Sequence, residues 1–496
     1  STDLHASTSD LQWFVDAYSL VLAAALLPAG MLGDAFGRKR LLIIALVLFG
    51  VASLGCAYAG SSGELIAARA VAGLAAAVIM PLGLAVLPVL FTPAERPRAI
   101  AIVGGATFLG YPIGPILGGW LLDHFWWGSV FLINVPVVVL AIIAVLTLLP
   151  ESRAARRPRI DGVGVLLSSA GLAILTYGVI SAGQDGWSDA RAIATMAVGL
   201  VILAAFAAWV RAGARRPGGQ PLVDPGLFRS AGFTWGTTLS TMVSFALFGV
   251  TFVMPQFFLD VRGLDSLASG VQMLPLIGGL AIGLGVGQRL QTPRRGGTGP
   301  LVSTRTLVSA GFAIMAVALA VGAGTRPGSG TAFIASWFAI VGVGLGLALP
   351  TAMNAALGAL APDSSGSGSA LMTAMRQVGA AIGVAVLGTV LNTVYQARLG
   401  RRGLPAAAAH AAHASVAGGL AVARAAGSAS LLTGVRAAYT DGLDVMLWAC
   451  AAIALAAAAL GMVFLPRRAD APEPAIAAAG PGQAPGDPVL PRTQAQ

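Results

Sequence analysis

Asp16, Arg69 and Arg376 are ionisable side chains set within long apolar runs, and their chemistry needs an explanation first. A charge in such a run costs at least about 2.5 to 3.5 kcal/mol to place in hydrocarbon, so each marks a functional position by default. Asp16 and Arg69 both fall about five residues inside the same end of their runs, which at about 1.5 Å per residue puts them at one depth. A carboxylate and a guanidinium at one depth can pair, or can form a site where a proton or a cationic compound competes with the arginine for the carboxylate. A structural ion pair, or an aspartate reaching water at the rim, is the plainer reading of the same residues. Arg376 stands near the middle of its run with Gln377 beside it, and a substrate or gating contact and a buried hydrogen-bond anchor fit it equally.

Two glycine patterns add mechanical candidates. Gly30, Gly33 and Gly37 let two runs meet through a tight turn, where Asp34 stands beside Arg38, Lys39 and Arg40. A plain positive anchor needs no acid at the end of a run. A latch in which Asp34 changes partners between two conformations is therefore the preferred reading. Gly110, Gly114 and Gly118 recur every fourth residue, with Pro112, Pro115 and Gly119 among them. One helix face is then almost bare backbone and bent, which suits a surface that seals or hinges, static packing being the alternative. Gly279, Gly283 and Gly287, Gly342 with Gly346, and Gly379 with Gly383 repeat the spacing and read as packing.

The elements that position these residues are membrane spans. Of 496 residues 56% are hydrophobic and 10% charged, against about 25% charged in a soluble domain. Apolar runs of about 20 residues, each able to cross roughly 30 Å of hydrocarbon, recur along the chain. They lie near 11–33, 41–60, 65–91, 99–122, 128–149, 162–183, 192–210, 232–258, 269–288, 306–324, 331–360, 367–394 and 443–465. The fold class is an all-α polytopic membrane protein with about thirteen transmembrane helices. This composition excludes a disordered chain and a secreted disulfide scaffold. The net charge of +10 is spread over short loops, which excludes a nucleic-acid partner.

Cys56 and Cys450 fall inside apolar runs and read as packed thiols, and His5, His124, His410 and His413 lack ligand-like spacing, so neither a disulfide nor a metal is expected. The glycine-rich runs lack the strand, turn and basic residue of a phosphate loop, so no nucleotide is expected. With no nucleophile elbow, zinc-binding pattern or paired carboxylates, the chain is not expected to be an enzyme and needs no cofactor.

Alternate connections are basic: Arg38 to Arg40, Arg96 and Arg98, Arg153 to Arg159, Arg211 to Arg229, Arg294 to Arg305, and Arg467 with Arg468. These face the cytoplasm by the positive-inside rule, which places Ser1 outside and Gln496 inside. The long connection 395–442 is expected on the outer side, Ala-rich and with room for a short helix. Residues 467–496 read as a disordered cytoplasmic tail. An odd span count and the absence of an initiator methionine point to a further span before Ser1.

Several stretches together resemble the fourteen-helix drug:proton antiporter branch of the major facilitator superfamily. Leu11 to Tyr18 is similar to that branch's second helix, Gly30 to Arg40 to its loop signature, and Leu65 to Gly73, with Arg69, to its fourth-helix motif. Gly105 to Gly119 resembles the antiporter signature, Phe131 to Pro136 follows it, and Arg376 to Gly379 is similar to a later helix. Ala35, Ala72 and Gly128 depart from the frequent residues of these motifs, and Ser1 aligns just after the family's first helix. The resemblance implies an N-terminal bundle at 1–150, an inserted helix pair at 151–213 and a C-terminal bundle at 214–466, rocking about a central cavity.

It also implies a monomeric, proton-coupled exporter of drugs or other amphipathic small molecules in the bacterial plasma membrane. Asp16, Arg69, Arg376 and Gln377 would then serve coupling or substrate, Gly30, Gly33, Asp34, Gly37, Arg38 and Lys39 the gating loop, and Gly110, Gly114, Pro115, Gly118 and Gly119 the hinge. Export of a non-drug solute, and a transport-inactive ligand-binding or scaffold protein, are the alternatives.

Overall fold

The computed structural model describes residues 8–92, 95–151, 161–215, 223–292, 301–360, 365–399, 408, 412 and 416–466. The expected tail 467–496, the basic stretches 152–160 and 293–300, and His5, His410 and His413 lie outside the described residues. All the described elements are helical. In chain order they are α1 (Thr8–Phe36), α2 (Arg38–Ala57), α3 (Ser62–Ala85), α4 (Leu87–Leu90), α5 (Arg96–His124), α6 (Ser129–Leu132), α7 (Asn134–Leu148), α8 (Gly162–Asp185) and α9 (Ala190–Arg215). A 3-10 turn, Pro225–Arg229, leads into α10 (Ala231–Gln256), α11 (Ser266–Gln272), α12 (Leu274–Gln291), α13 (Thr304–Gly322), α14 (Thr331–Gly358), α15 (Ser365–Leu399), α16 (Val416–Ala425) and α17 (Ala429–Phe464).

Twelve spans among the described residues are long and apolar enough to cross a membrane. α5, 29 residues long, covers the remaining expected run. Polar caps punctuate the helices: Ser61, Asp161, Ser230, Asp265, Ser303 and Ser428 each accept a hydrogen bond from a first-turn amide that has no helical partner. Pro28, Pro81 and Pro350 lie within continuous helices, whereas one proline precedes an interruption. Pro255 has no N–H to donate, and α10 passes into a π-helical turn, Phe257–Val261, while the Tyr439 hydroxyl donates to the nearby Val253 carbonyl at 2.9 Å.

The last span differs from expectation. α17 begins at Ala429, well before 443, and α16 together with the end of α15 makes much of the described part of 395–442 helical. Arg436, Asp441 and Asp444 lower the hydropathy of its first turns. The two acids are held by Arg398 at 3.4 Å and Arg326 at 3.5 Å, so helix forms there without an apolar run.

Glycines set the closest helix crossings. A methyl group added at Gly279 or Gly283 would strike the carbonyls of Ala339 and Val343, and one at Gly342 or Gly346 the carbonyls of Leu276 and Leu280. α12 and α14 thus press backbone to backbone along two turns from both sides. Gly379 and Gly383 of α15 meet Thr241 and Phe245 of α10 in the same way, and Gly311 of α13 meets Gly344 of α14. In hydrocarbon, where apolar side chains gain nothing by leaving the solvent, such close approach supplies the packing attraction.

α1 packs on α3 and α15, α2 on α3 and α7, and α5 on α11, α12 and α14. α8 pairs with α9 and also touches α1 and α15. Large apolar side chains of α7 and α9, among them Val137, Leu140, Ile143, Val198 and Val201, stay exposed, as suits a lipid-facing surface.

Candidate functional site

The start of α3 is fixed by two reciprocal bonds. Ser61 accepts from the Glu64 amide at 3.3 Å, and the Glu64 carboxylate accepts from the Gly60 amide at 2.7 Å. Two turns further on, Arg69 reaches across to α1. Its Nε donates to the Phe14 carbonyl at 2.6 Å, and its guanidinium lies 4.6 Å from the centre of the Tyr18 ring. One turn beyond Arg69, Gly73 has the Tyr18 backbone against its Cα, a spacing that any side chain would block. Phe14 faces Arg69 and Tyr18 faces Gly73, so α1 and α3 run parallel and in register. Asp16 is half-buried at about the depth of Arg69, but two residues from both Phe14 and Tyr18 it projects from the other face of α1, and the structure does not bring it onto Arg69.

The turn between α1 and α2 is built on Gly37, whose φ of +104° is costly for any side-chain-bearing residue. Gly33, one turn earlier, packs against the Leu82 side chain of α3. The side chain of Asp34 lies outside the described residues. Among the described residues, Glu151, just past α7, is an acid that engages the basic turn. It accepts from the Lys39 amide at 3.3 Å and pairs with Arg40 at 3.6 Å. The Lys39 ammonium donates to the Leu146 carbonyl at 2.9 Å, in the last turn of α7, where carbonyls lack helical partners. Arg38 is buried, 3% exposed. Sequence reasoning did not single out Glu151. Its place in the sequence, two residues past the run 128–149, gives no hint of its partners until α7 stands beside α2.

Arg376 of α15 bridges two other helices, its Nε 3.2 Å from the Ser244 hydroxyl of α10 and a terminal nitrogen 3.7 Å from the Met353 sulfur of α14. Gln377 turns to α3 and donates to the Met80 sulfur at 3.5 Å. Ser369, two turns before Arg376, donates to the Pro81 carbonyl of α3 at 3.1 Å. Pro81 adjoins Leu82, so this seam closes at the level of Gly33. Arg376 and Gln377 are therefore brought into one region, whereas Arg69 belongs to the α1–α3 contact.

The glycine face of α5 behaves differently from the other glycine pairs. A methyl added at Gly110, Gly114 or Gly118 would meet nothing within 4 Å among the described residues. Gly119 is half-buried, and the Pro115 side chain lies outside the described residues.

These groups supply positioned charge inside an apolar helical body, an arrangement for carrying solutes and not for making or breaking bonds. The family model of the Major Facilitator Superfamily matches residues 1–384. The chain belongs to the major facilitator superfamily. Its relatives within the superfamily include the multidrug efflux pump LfrA of Mycolicibacterium smegmatis, 34% identical over 93% of this chain and 90% of that protein. The tetracenomycin C resistance and export protein of Streptomyces glaucescens is 33% identical over 78% of this chain and 70% of that one. Among solved superfamily structures, a double-tryptophan mutant of XylE shares the fold with a TM-score of 0.58 at 14% identity, covering 94% of this chain and 89% of that one. The human organic anion transporter MFSD10 (TETRAN) does so at 0.53 and 17%, covering 88% and 83%. The protein is a multi-pass bacterial membrane transporter of small molecules, and not an enzyme.

Proposed function

We propose that this superfamily member is a proton-coupled antiporter that exports drug-like amphipathic compounds across the plasma membrane, a monomer with its C-terminus in the cytoplasm. The export of antibiotics and other drugs named for its relatives supports the cargo class. The observation that carries the coupling is a half-buried carboxylate, Asp16, within α1 at about the depth where Arg69 engages Phe14 and Tyr18. Proton or substrate binding at Asp16 then neutralises a carboxylate set within an apolar span. A carboxylate that is neutralised by one or the other, and exposed alternately, exchanges the two.

In this reading, residues 1–150 and 214–466 form two rocking bundles and 151–213 an added helix pair. The Ser369–Pro81 and Gln377–Met80 contacts join the bundles at the end of the basic turn. Lys39, Arg40 and Glu151 hold that turn to α7, and the open face at Gly110, Gly114 and Gly118 closes in the opposite state. The test is dye efflux from proteoliposomes under an imposed pH gradient, with and without a protonophore. Protonophore-sensitive efflux that Asp16→Asn abolishes is the expected result; pH-driven efflux by that variant would take Asp16 out of the mechanism.

A further inference from the structure

α12 and α14 press backbone to backbone through Gly283 and Gly346 and then part. A methyl added at Gly283 would strike the Val343 carbonyl, whereas one at Gly287, a turn later, meets nothing closer than the Leu347 side chain at 3.6 Å. Between the parting helices lies a partly open cavity of about 250 Å³. Gln288 and Gln291 of α12, one turn apart on one face, form one wall with Leu284, and Gly346, Pro350 and Thr351 of α14 form the other.

The polar groups of these walls suit a neutral guest. Pro350 lies inside α14 and has no N–H to give the Gly346 carbonyl four residues before it, so that oxygen lacks its usual helical donor. Gln291 donates to the Thr351 hydroxyl at 3.0 Å, which ties the two walls together. The half-buried Gln288 carboxamide, which has no hydrogen-bond partner among the described residues, can both donate and accept. None of the lining side chains is ionisable, and Arg289, beside Gln288, is exposed and outside the walls. Recognition at these walls is therefore by hydrogen bonding.

We propose that this wedge is a loading subsite for a neutral ring of the transported compound, held through a hydroxyl or amide N–H. The Gly346 carbonyl accepts from that group, the Gln288 carboxamide completes its hydrogen bonding, and Leu284 and Pro350 pack on the apolar body of the ring. The subsite rests on the transport reading above, in which the end of α12 that leads into the basic stretch 293–300 faces the cytoplasm, and it names the cargo chemistry within that reading.

Equilibrium binding to the full chain in lipid nanodiscs, without any proton gradient, tests the proposal. Two neutral probes of nearly equal shape would be used, 2-(hydroxymethyl)anthraquinone and 2-ethylanthraquinone. Their affinity ratio in the parent should fall by about fivefold, the worth of one hydrogen bond, in Gln288→Met. Gly287→Ala places a methyl in the cavity with only ordinary contacts around it, so the protein should fold while both probes weaken alike, several-fold. An unchanged ratio in Gln288→Met, undiminished binding by Gly287→Ala, or binding of neither probe by the parent overturns the subsite. Loss of proton coupling would leave the ratio intact, and pH-driven efflux beside an unchanged ratio would refute the subsite alone, so the two readings fail separately.

Discussion

The ammonium of Lys39 donates to the Leu146 carbonyl at 2.9 Å, tying the first turn of α2 to the last turn of α7, and Glu151 takes up the neighbouring Lys39 amide. Lys39 lies more than a hundred residues in sequence from both partners. They make the basic turn part of a folded contact, with an acid of its own.

Glu151→Gln should therefore slow transport while leaving probe binding unchanged. An exposed ion pair contributes about 0.2 to 1 kcal/mol, which corresponds to a rate change of up to about fivefold if the pair forms in only one of the exchanging states. Initial efflux rates beside equilibrium binding on the same protein decide it; equal rates for variant and parent would remove the latch.

Arg69→Lys keeps the charge but loses both the Nε donor to Phe14 and the flat cation over Tyr18. Loss of these contacts should lower proton-driven efflux about tenfold, on the scale of a desolvated cation–π contact. Insertion, followed by the yield of folded protein, should be retained. Undiminished efflux would show that the arginine needs only its charge.

Gly73 and Gly114 should respond in opposite ways. Gly73→Val drives a side chain into the Tyr18 backbone and should destabilise the α1–α3 pair by about 1 to 3 kcal/mol, read as a lower Tm. Gly114→Leu meets open space in this state, so Tm should hold while transport stops, because the face can no longer close. A Gly114→Leu protein that transports fully would mean that this face never seals.

The legibility of these features in the sequence varied for physical reasons. Spans announce themselves because hydrocarbon demands apolar residues, and Arg69 and Arg376 stood out against that background. The first turns of α17 did not, since Arg436 and Asp441 make them read as loop. Partners such as the Phe14 carbonyl carry no side-chain signal at all, and Glu151 becomes visible only when α7 is brought beside α2. The glycine spacings were legible as a class. Yet only the register of neighbouring helices separates the crowded Gly283 from the open Gly114.

Acid should loosen the start of α5. The Thr92 hydroxyl and then its amide donate to the Glu95 carboxylate at 2.8 and 3.1 Å and hold its pKa below the usual glutamate value. A depressed carboxyl stabilises the fold above its unfolded value, about 4.3, and this contribution fades as pH falls through the lower folded value. Carbon-13 NMR of protein labelled at its glutamates, Glu64, Glu95, Glu151 and Glu473, can follow the titration. Thr92→Val should move the Glu95 midpoint upward; an unmoved midpoint would assign the depression to another group.

The reciprocal seating of Gly279 and Gly283 against α14, and of Gly342 and Gly346 against α12, divides the molecule mechanically. Sliding either helix by one residue would set a branched side chain against a carbonyl, so the pair has no low-energy translation and acts as a single strut. Compliance is left to junctions made by soft groups, such as the thioether of Met80 against Gln377. Any large displacement during a cycle is then a rotation of stiff struts about such yielding contacts, with the bending confined to a few identifiable side chains.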